Sequence, residues 1–472
     1  MNNKLEIIEL KSNGCRPVDF LTTLNPKYDY IIWEQNQNKQ KSESSSSYLQ
    51  ARYSHLIIRP KRVINFQNNI LKITEGEKTK TLSVNDAALD ILRKLSKQNK
   101  TSALRSEFSE DIFCGGFLGF ISYDYIRYLE NISAIKKNNL PDFYFLQTEA
   151  VLLFDNLAEK IFIISDNPQE LNYLKNLSIK VIEKKQKLSL RTSNSTLKFG
   201  KKFNREEWVK TVERAKEYIR AGDVFQVVLA NTYTAQAKIN PLYFFQQLKE
   251  INPSPYHFLI KFSNNFYVGA SPEKFLKGSS LSDGSKKIEM KLIAGTYPAD
   301  LNPNSLKCLV NDHKELAEHL MLVDHERNDI GKVSEIGKVK VEELFAIESY
   351  STLNHIVSEV SGILKQEHDY IDAIEACFPI ATLVGTPKVR ALEIIAELEK
   401  TNRGIFGGSI ISLGEEGSMN STVAIRSALI TANNITIHAG AGIVYDSNPE
   451  REYEECAWKA ESLFRAASTS LI

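Results

Sequence analysis

The feature that most constrains this fold is the grouping of strand-forming and helix-forming segments along the chain. Runs rich in β-branched and aromatic residues predict strands at 224–230, 256–262, 265–269, 286–292 and 436–444. Apolar residues at helical spacing predict helices at 204–222, 314–324, 370–377, 387–398 and 450–467. Because strands and helices do not alternate regularly, we predict an α+β protein with large antiparallel sheets flanked by helices.

A polar stretch divides the chain of 472 residues. At about 150 residues per domain, this length allows up to about three domains, or two interleaved ones. Residues 184–204 are rich in Lys, Ser, Thr and Asn and contain few large apolar side chains. This composition predicts a linker between an N-terminal region, residues 1–183, and a C-terminal region, residues 205–472.

Charge and cysteine usage exclude several classes of protein. The 59 Lys and Arg residues balance 58 Asp and Glu residues, so no global field attracts nucleic acid or an anionic membrane. No apolar run approaches the length of a transmembrane helix, and the start of the chain does not resemble a signal peptide. The five scattered cysteines form no C-x-x-C motif and indicate reduced thiols. We therefore predict a cytoplasmic protein that binds neither nucleic acid nor membrane.

Two pairs of glutamates have helical spacing. Glu315 and Glu318 are three residues apart on one predicted helix, and Glu452 and Glu455 are three apart on another. Residues at this spacing share a helix face, and two acidic faces brought together suit a hard cation such as Mg²⁺. Solvated helix faces are the simpler alternative. Lys459, one turn beyond Glu455, favours a built site.

Two glycine-containing stretches are candidates for anion binding. Closely spaced glycines at 438–442 allow backbone N–H groups to approach an anion, although a glycine pair at a strand end is more often a plain turn. At 385–390, Thr386 is a predicted cap, Pro387 the predicted first helical residue and Lys388 an added charge. A simple helix start is the alternative there. The residues alone thus predict a magnesium-dependent enzyme acting on a small anionic substrate.

Many short motifs, in one order, resemble those of the chorismate-utilising enzymes, most closely the anthranilate synthase component I branch. The resemblance runs from Arg52 to Lys459 and implies that family's fold, with a chorismate-binding catalytic region at 205–472 and a regulatory or structural region at 1–183. The motifs are Gly115-Gly-Phe-Leu-Gly119, Ser122-Tyr-Asp124, Gly222-Asp-Val-Phe-Gln226, Asn252-Pro-Ser-Pro-Tyr256, Gly269-Ala-Ser-Pro-Glu273, Ile293-Ala-Gly-Thr296, Glu315-Leu-Ala-Glu-His-Leu-Met-Leu-Val-Asp324, Arg327-Asn-Asp329, Cys377-Phe-Pro379, Arg403-Gly404, Ala424-Ile-Arg426 and Ala439-Gly-Ala-Gly442.

The resemblance implies a set of site residues, with chorismate as substrate and Mg²⁺ as cofactor. The implied metal ligands and neighbouring carboxylates are Glu318, Glu455, Glu315 and Glu452. The implied catalytic residues are the general acid Glu273, which helps the C4 hydroxyl to leave, and His355 and Thr382. The implied substrate-binding residues are Gln226, Gly295, Thr296, Phe406, Arg426, Gly440, Ala441, Gly442 and Lys459.

Two positions indicate the nucleophile. Family members that add water carry a lysine base at the position of Gln226, and many aminodeoxychorismate synthases carry a nucleophilic lysine at the position of Ala294. With neither lysine, ammonia itself must attack, which implies conversion of chorismate to anthranilate and pyruvate, the first step of tryptophan biosynthesis. Gly408-Ser-Ile410 is closer to the aminodeoxychorismate synthase branch, which is the alternative. A non-catalytic chorismate- or tryptophan-binding relative is a third reading, opposed by intact Glu273 and His355.

Several positions depart from the family pattern. Tyr297 replaces the usual arginine after Ala-Gly-Thr, and Phe406 replaces a chorismate-contacting tyrosine. The usual Leu-Leu-Glu-Ser of the tryptophan feedback site appears as Ile32-Trp-Glu-Gln35, which predicts weak inhibition or none. The implied effector positions are Gln35, Pro255, Tyr256 and His257.

The source of ammonia is the last expectation. Glutamine hydrolysis needs a nucleophilic cysteine on a tight glycine-flanked turn with a histidine nearby, and none of the five cysteines has this setting. The helix predicted at 450–467 also ends close to Ile472, which leaves no room for a glutaminase domain. We therefore expect a separate glutamine amidotransferase subunit and a hetero-oligomer.

Overall fold

Two large antiparallel sheets form the centre of the protein. The computed structural model describes residues 5–35, 52–84, 87–96, 112–132, 135, 137–184, 196–298, 313–349, 353–415 and 417–472. Within these ranges there are 23 strands, nine helices and two short 3₁₀ helices, Tyr123–Tyr128 and Ala381–Leu383. None of these helices is both long and apolar enough to cross a membrane.

The strands are short, and most of them pair with neighbours in antiparallel hairpins. In chain order they are β1 Glu6–Lys11, β2 Tyr30–Gln35, β3 Tyr53–Ile57, β4 Arg62–Gln67, β5 Ile70–Glu75, β6 Lys78–Ser83, β7 Gly116–Ile121, β8 Phe143–Gln147, β9 Val151–Asp155, β10 Lys160–Ser165, β11 Gly200–Lys201, β12 Gln226–Gln236, β13 Tyr256–Phe262, β14 Asn265–Ser271, β15 Lys274–Ser280, β16 Lys286–Pro298, β17 Lys340–Ser349, β18 Leu353–Ile363, β19 Gly385–Thr386, β20 Ser409–Gly414, β21 Met419–Val423, β22 Ser427–Ile430 and β23 Asn434–Ile443.

The order of strands in each sheet mixes the two ends of the chain. The first sheet runs β1-β10-β9-β3-β2-β13-β14-β22-β23-β12-β11, with β19 also paired to β12. The second runs β17-β18-β16-β15-β21-β20-β7-β8-β4-β5-β6. Strands from before residue 184 and after residue 204 thus share both sheets, and the division at 184–204 stays a prediction. Residues 185–195 of the predicted linker lie outside the described ranges.

The helices cover the outer faces of the two sheets. They are α1 Pro17–Leu24, α2 Asp90–Ser96, α3 Pro168–Glu183, α4 Arg205–Arg220, α5 Pro241–Ile251, α6 His313–Val333, α7 Tyr370–Cys377, α8 Lys388–Glu399 and α9 Pro449–Thr469. Helices α1, α3, α4, α5, α8 and α9 pack on the first sheet, and α2, α6 and α7 pack on the second.

The sheets pack against each other through their inner faces. On β2, Ile31 and Trp33 enter the core between the sheets, whereas Tyr30 and Ile32 face the helices. Phe120 of the second sheet enters the same inner core. Because both faces of β2 and β7 are covered, these two strands read as continuous runs of buried residues rather than alternating ones. The predicted α+β class with large antiparallel sheets is confirmed.

The prediction for 385–390 was wrong in detail. Helix α8 begins at Lys388 with Pro387 as its N-cap, because Thr386 is held in β19 opposite Gln226. The hydroxyl of Thr386 lies 2.8 Å from Nδ1 of His325 and does not cap the helix. Lys388 is buried and forms an ion pair with Asp329, so its charge is not available to an external anion.

Candidate active site

Glu273 lies in the short connection between β14 and β15 and is almost completely buried. The hydroxyl of Thr382, in the 3₁₀ helix at 381–383, donates a hydrogen bond of 2.6 Å to its Oε1. Burial raises the pKa of Glu273 to about 7, against the opposing effects of Thr382 and Lys459. A carboxyl with this pKa holds a proton near neutral pH and can act as a general acid.

Gln226 and Glu318 connect the first strand of the site to helix α6. The side-chain amide of Gln226, at the start of β12, donates a hydrogen bond of 2.6 Å to Oε1 of Glu318. A Cβ atom at Gly442 on the neighbouring strand β23 would lie 2.8 Å from Nε2 of Gln226. Glycine at 442 therefore makes room for the amide that orients Glu318.

Lys459 links helix α9 to the glycine-containing strand. Its ammonium group forms an ion pair of 2.5 Å with Glu455 and donates a hydrogen bond of 3.0 Å to the carbonyl of Gly440. The guanidinium of Arg426 donates to the carbonyl of Lys459 itself, at 2.8 Å. The structure thus brings the predicted substrate-binding residues Arg426, Gly440 and Lys459 together at one end of β23.

Three of the four predicted metal-site glutamates influence one another. Burial, together with the negative charges of Glu455 and Glu318, raises the pKa of Glu452 to about 7, against the opposing effects of Ser447 and Lys459. A divalent cation would relieve this repulsion between carboxylates.

No group of three or more His, Cys, Asp or Glu side chains within the described ranges forms a ready-made metal cage. Mg²⁺ commonly takes one or two protein carboxylates and completes its shell with water and substrate oxygens. The all-oxygen donor set of Glu318 and Glu455, carried by two different helices, fits such a shared ion.

Strand β23 presents an open edge at the site. β12 borders one edge as far as Ile443, but β22 lies opposite only Ile435 to Ile437 on the other. Beyond Ile437 that edge has no strand neighbour in the described part of the chain, so alternate backbone groups can meet a ligand. The Ala441 side chain packs in the helix-facing core, so only its backbone can take part in binding.

His438 and Phe406 form a stacked pair on the same side of β23. Their ring centroids are 5.3 Å apart with planes at 19°. Burial lowers the pKa of His438 to about 3, helped by the positive charges of Arg403 and Lys202, so the imidazole is neutral. Phe406 lacks the hydroxyl of the family's tyrosine, and its ring stacks on this neutral imidazole.

The sequence analysis did not assign a role to His438. The sequence could have indicated its position, because side chains alternate along a strand and His438 lies on the same face as Gly440 and Gly442. The stacking on Phe406 could not be foreseen, since the two residues are brought together only by the tertiary fold.

For four predicted site residues the structure describes no more than the backbone, namely Gly295, Thr296, Glu315 and His355. Their backbone positions are partly defined. Thr296 on β16 pairs with His355 on β18, next to a register shift at Ala294. The predicted roles of these four residues stay predictions.

The four predicted effector residues also come together, on β2 and β13 and just before β13. Gln35 pairs with Tyr256, and Glu34 pairs with His257. The ring of Trp33 is fully buried and lies 5.5 Å from that of Tyr256. Pro255 precedes this strand and is half-buried.

The family of chorismate binding enzymes has a sequence profile that matches residues 29–465. The anthranilate synthase component 1 of Acinetobacter calcoaceticus is 38% identical over 383 residues, which cover 76% of this chain and 75% of that protein. The aminodeoxychorismate synthase component 1 of Bacillus subtilis is 35% identical over 397 residues, covering 81% and 83%.

A solved structure also resembles the whole chain. The crystal structure of anthranilate synthase component I from Streptococcus pneumoniae TIGR4 superposes with a TM-score of 0.75 at 32% sequence identity. The match covers 91% of this chain and 95% of that one.

Proposed function

The chain belongs to the family of chorismate binding enzymes, and we propose that it is the aminating subunit of an anthranilate synthase. It acts on chorismate, adding ammonia and releasing anthranilate and pyruvate, the first step of tryptophan biosynthesis. The observation that carries this proposal is the buried Glu273, which accepts a hydrogen bond from Thr382 and whose pKa burial raises to about 7.

The first chemical step needs an acid. Ammonia forms a bond to C2 of the ring while the double bonds shift and the bond from C4 to its hydroxyl breaks. Hydroxide is a poor leaving group, and the proton of Glu273 allows it to leave as water. The ammonium formed at C2 gives up a proton, which restores Glu273. Loss of the C2 proton then breaks the bond from C3 to the enolpyruvyl oxygen and makes the ring aromatic, and the released enolpyruvate takes up a proton at its terminal carbon to become pyruvate.

The choice of ammonia over water follows from Gln226. Its neutral amide donates to Glu318 and cannot remove a proton from water as a lysine amine could. Ammonia is already a nucleophile and requires no base. Gln226 therefore orients a metal-site carboxylate and leaves the nucleophile unactivated.

The proposal includes Mg²⁺ held by Glu318 and Glu455, with Glu315 and Glu452 nearby. When bound, the ion would neutralise the ring carboxylate of chorismate and favour addition to the ring. We propose that Lys459, Arg426 and the open edge of β23 bind the other carboxylate of chorismate, that of the enolpyruvyl group. The contacts that group Lys459 and Arg426 at Gly440 support this.

A separate glutamine amidotransferase subunit is proposed as the source of ammonia. Four of the five cysteines, Cys15, Cys114, Cys377 and Cys456, are buried thiols that form no disulfide, and Cys308 lies outside the described residues. Burial raises the pKa of the Cys456 thiol to about 12, which is the opposite of an activated nucleophile. These reduced thiols also support a cytoplasmic location.

The alternative is synthesis of 4-amino-4-deoxychorismate for folate. Gly408-Ser-Ile410 and the relative from Bacillus subtilis favour it. Ala294 argues for the anthranilate reaction, because it offers no amine to form a covalent intermediate with the ring.

One incubation tests the proposal. The purified chain is mixed with chorismate, Mg²⁺ and ammonium at raised pH, where free ammonia is abundant, and the products are identified by fluorescence and chromatography. We expect anthranilate and pyruvate in equal amounts, and no product with glutamine until the partner subunit is added.

Two results would contradict it. An aminated product that keeps its enolpyruvyl group, without pyruvate, would establish the alternative reaction. Anthranilate formed from glutamine by this chain alone would overturn the separate-subunit proposal.

A further inference from the structure

Arg403 is a buried cation that the proposed mechanism leaves unused. It lies four residues after the end of helix α8, and only 3% of its surface is exposed. Its guanidinium pairs with both carboxylate oxygens of Glu399, the last residue of α8, at 3.0 and 2.6 Å. Burying a charged pair is costly and adds stability only with good geometry and further hydrogen bonds, so its other contacts require an explanation.

The pair of Arg403 and Glu399 extends the edge of strand β12 with side chains. The short strand β19 pairs with β12 over only two residues. Beyond them, the guanidinium of Arg403 donates a hydrogen bond of 2.7 Å to the carbonyl of Val228. The N–H of Ala230 donates one of 2.8 Å to Glu399. The two side chains thus hold backbone groups that a neighbouring strand holds elsewhere in the sheet.

The same guanidinium reaches the short 3₁₀ helix that carries Thr382. Its Nη1 donates a hydrogen bond of 2.6 Å to the carbonyl of Leu383, the residue after Thr382. The carbonyl of the next residue, Val384, accepts a hydrogen bond of 2.8 Å from the N–H of Val228. Arg403 therefore joins the segment that carries Thr382 to strand β12.

The 3₁₀ helix provides one half of the contact at the candidate acid. It has only three residues, and so short a helix depends on its surroundings for its position. Glu273 is held separately, because its backbone carbonyl accepts hydrogen bonds from Thr422 and Val423 on β21 of the second sheet. The distance of 2.6 Å between the Thr382 hydroxyl and the Glu273 carboxylate therefore depends on how the first sheet holds Thr382.

Further contacts fix the main chain around Arg403. The guanidinium carbon lies 4.6 Å from the ring centroid of Tyr123. The backbone N–H groups of Arg403 and Gly404 donate hydrogen bonds of 3.2 and 3.1 Å to the carboxylate of Asp124. Because main chain and side chain have different partners, a changed side chain at 403 can lose the 3₁₀ helix while the segment that leads to Phe406 stays in place.

We propose that Arg403 is a positioning residue for the reaction: it sets the place of Thr382, and through it the hydrogen bond that Thr382 donates to Glu273. This role gives Arg403 no contact with substrate and no proton to transfer, so the reaction remains balanced as written above. The inference rests on the proposed function, because it assumes that Glu273 acts as the acid.

Arg403→Lys separates the ion pair from the positioning role. Lysine keeps the positive charge beside Glu399 but has no planar fork to reach both backbone carbonyls at the same time. We expect kcat to fall about 10- to 100-fold with KM nearly unchanged, since a small displacement of a positioned group can cost about 10²-fold in rate. The pH at which activity declines should move upward, because the hydrogen bond from Thr382 lowers the pKa of Glu273 against the effect of burial.

A double-mutant cycle identifies the route of the effect. Thr382→Val alone should lower kcat and move the decline in the same direction. Because Arg403 acts through Thr382, adding Arg403→Lys to Thr382→Val should cost little more than Thr382→Val alone. The matched control is Arg127→Lys, the same substitution at another largely buried arginine, which pairs with Asp142 and should lower stability without moving the pH profile.

Every outcome bears on the inference. Wild-type kcat and pH profile in Arg403→Lys, or in Thr382→Val, would overturn it, and so would additive effects in the double variant. If Arg403→Lys does not fold, Arg403→Met combined with Glu399→Met replaces the whole buried pair by apolar side chains, an exchange that is often neutral for stability. This variant should show the same loss of kcat.

Normal activity in the Arg403→Met, Glu399→Met variant, or failure of both Arg403 variants to fold, would mean that Arg403 supports the fold alone, and the inference would be wrong. The proposed function fails by a different result, a wild type that makes no aminated product from chorismate and ammonium.

Discussion

Glu34 and Glu273 are both buried glutamates, yet the fold shifts their pKa values in opposite directions. Glu34 on β2 receives a hydrogen bond of 3.1 Å from Ser54 and forms an ion pair with Lys249 of α5. Burial opposes its ionisation, but Lys249 outweighs this and its pKa is lowered. Glu273 has only a neutral hydroxyl as its direct donor, and its pKa rises to about 7.

The difference teaches that burial does not set the state of a carboxyl by itself. A contacting cation keeps Glu34 charged and makes it part of the framework between β2 and α5. At the candidate active site the cation that acts on Glu273 is Lys459, which is paired with Glu455, so burial outweighs it and the pKa of Glu273 stays raised. The state of each carboxyl therefore depends on whether a cation contacts it directly, as Lys249 contacts Glu34.

The largest effect should come from Glu273→Gln, which removes the acid and keeps its shape. Loss of a general acid typically costs about 10²–10⁴-fold in rate. We expect kcat for anthranilate formation to fall by this factor with little change in KM for chorismate. Glu34→Gln is the matched control and should leave kcat close to the wild-type value. An effect of Glu273→Gln on KM alone would make Glu273 a binding residue.

Next in size should be the effect of removing the cation from Glu34. Lys249→Met leaves a buried carboxylate unpaired, and breaking such pairs costs about 3–5 kcal/mol. Because the Lys249 side chain is 27% exposed, we expect the lower end, about 3 kcal/mol in the free energy of unfolding measured in urea. Folding lowers the pKa of Glu34, so the ion pair should stabilise the protein fully at pH values above the pKa that Glu34 has in the unfolded chain. This stabilisation should disappear as the pH falls through the lower pKa of the folded state. Recovery of stability in the double variant with Glu34→Gln would confirm the pairing.

The proposed metal ligand Glu455 differs from both Glu34 and Glu273, because it is half-exposed and paired with Lys459. We expect Glu455→Gln to raise the Mg²⁺ concentration needed for half-maximal activity by about 10–100-fold, the range for changes around bound metals. Glu454→Gln, one residue earlier and paired with Arg205 at the surface, is the control. Equal Mg²⁺ requirements in the two variants would remove Glu455 from the site.

The pH dependence should show the raised pKa of Glu273 directly. Activity normalised to free ammonia should fall about tenfold for each pH unit above about 7, because only the protonated acid supports the first step. The decline should be absent from the residual activity of Glu273→Gln. A decline that persists in this variant would have to come from another group, with Glu452 the first candidate.

The sequence predicted the elements of this comparison unevenly. Local patterns located β13 and α7 at their observed bounds, because a run of β-forming residues and apolar residues at helical spacing are both readable from the sequence alone. Family motifs led to Glu273 and Thr382, whose hydrogen bond spans 109 residues of sequence. The burial of Glu326 could not be predicted, since it arises only when α6 packs on the second sheet.

The smallest effect should be that of tryptophan as an inhibitor. The fully buried indole of Trp33 already lies against Tyr256, so the chain's own side chain fills the aromatic space beside this predicted effector residue. Gln35 stands where the family has serine. We expect millimolar tryptophan to leave the chorismate reaction nearly unchanged, as measured by anthranilate fluorescence.

The double substitution Trp33→Leu with Gln35→Ser would empty the aromatic space and restore the family's residues at both positions. It should make the enzyme more sensitive to tryptophan without changing kcat in its absence, because Trp33 and Gln35 lie outside the reacting centre. Strong inhibition of the wild type would instead show that Trp33 can move aside. The framework around Glu34 would then be less rigid than its ion pair implies.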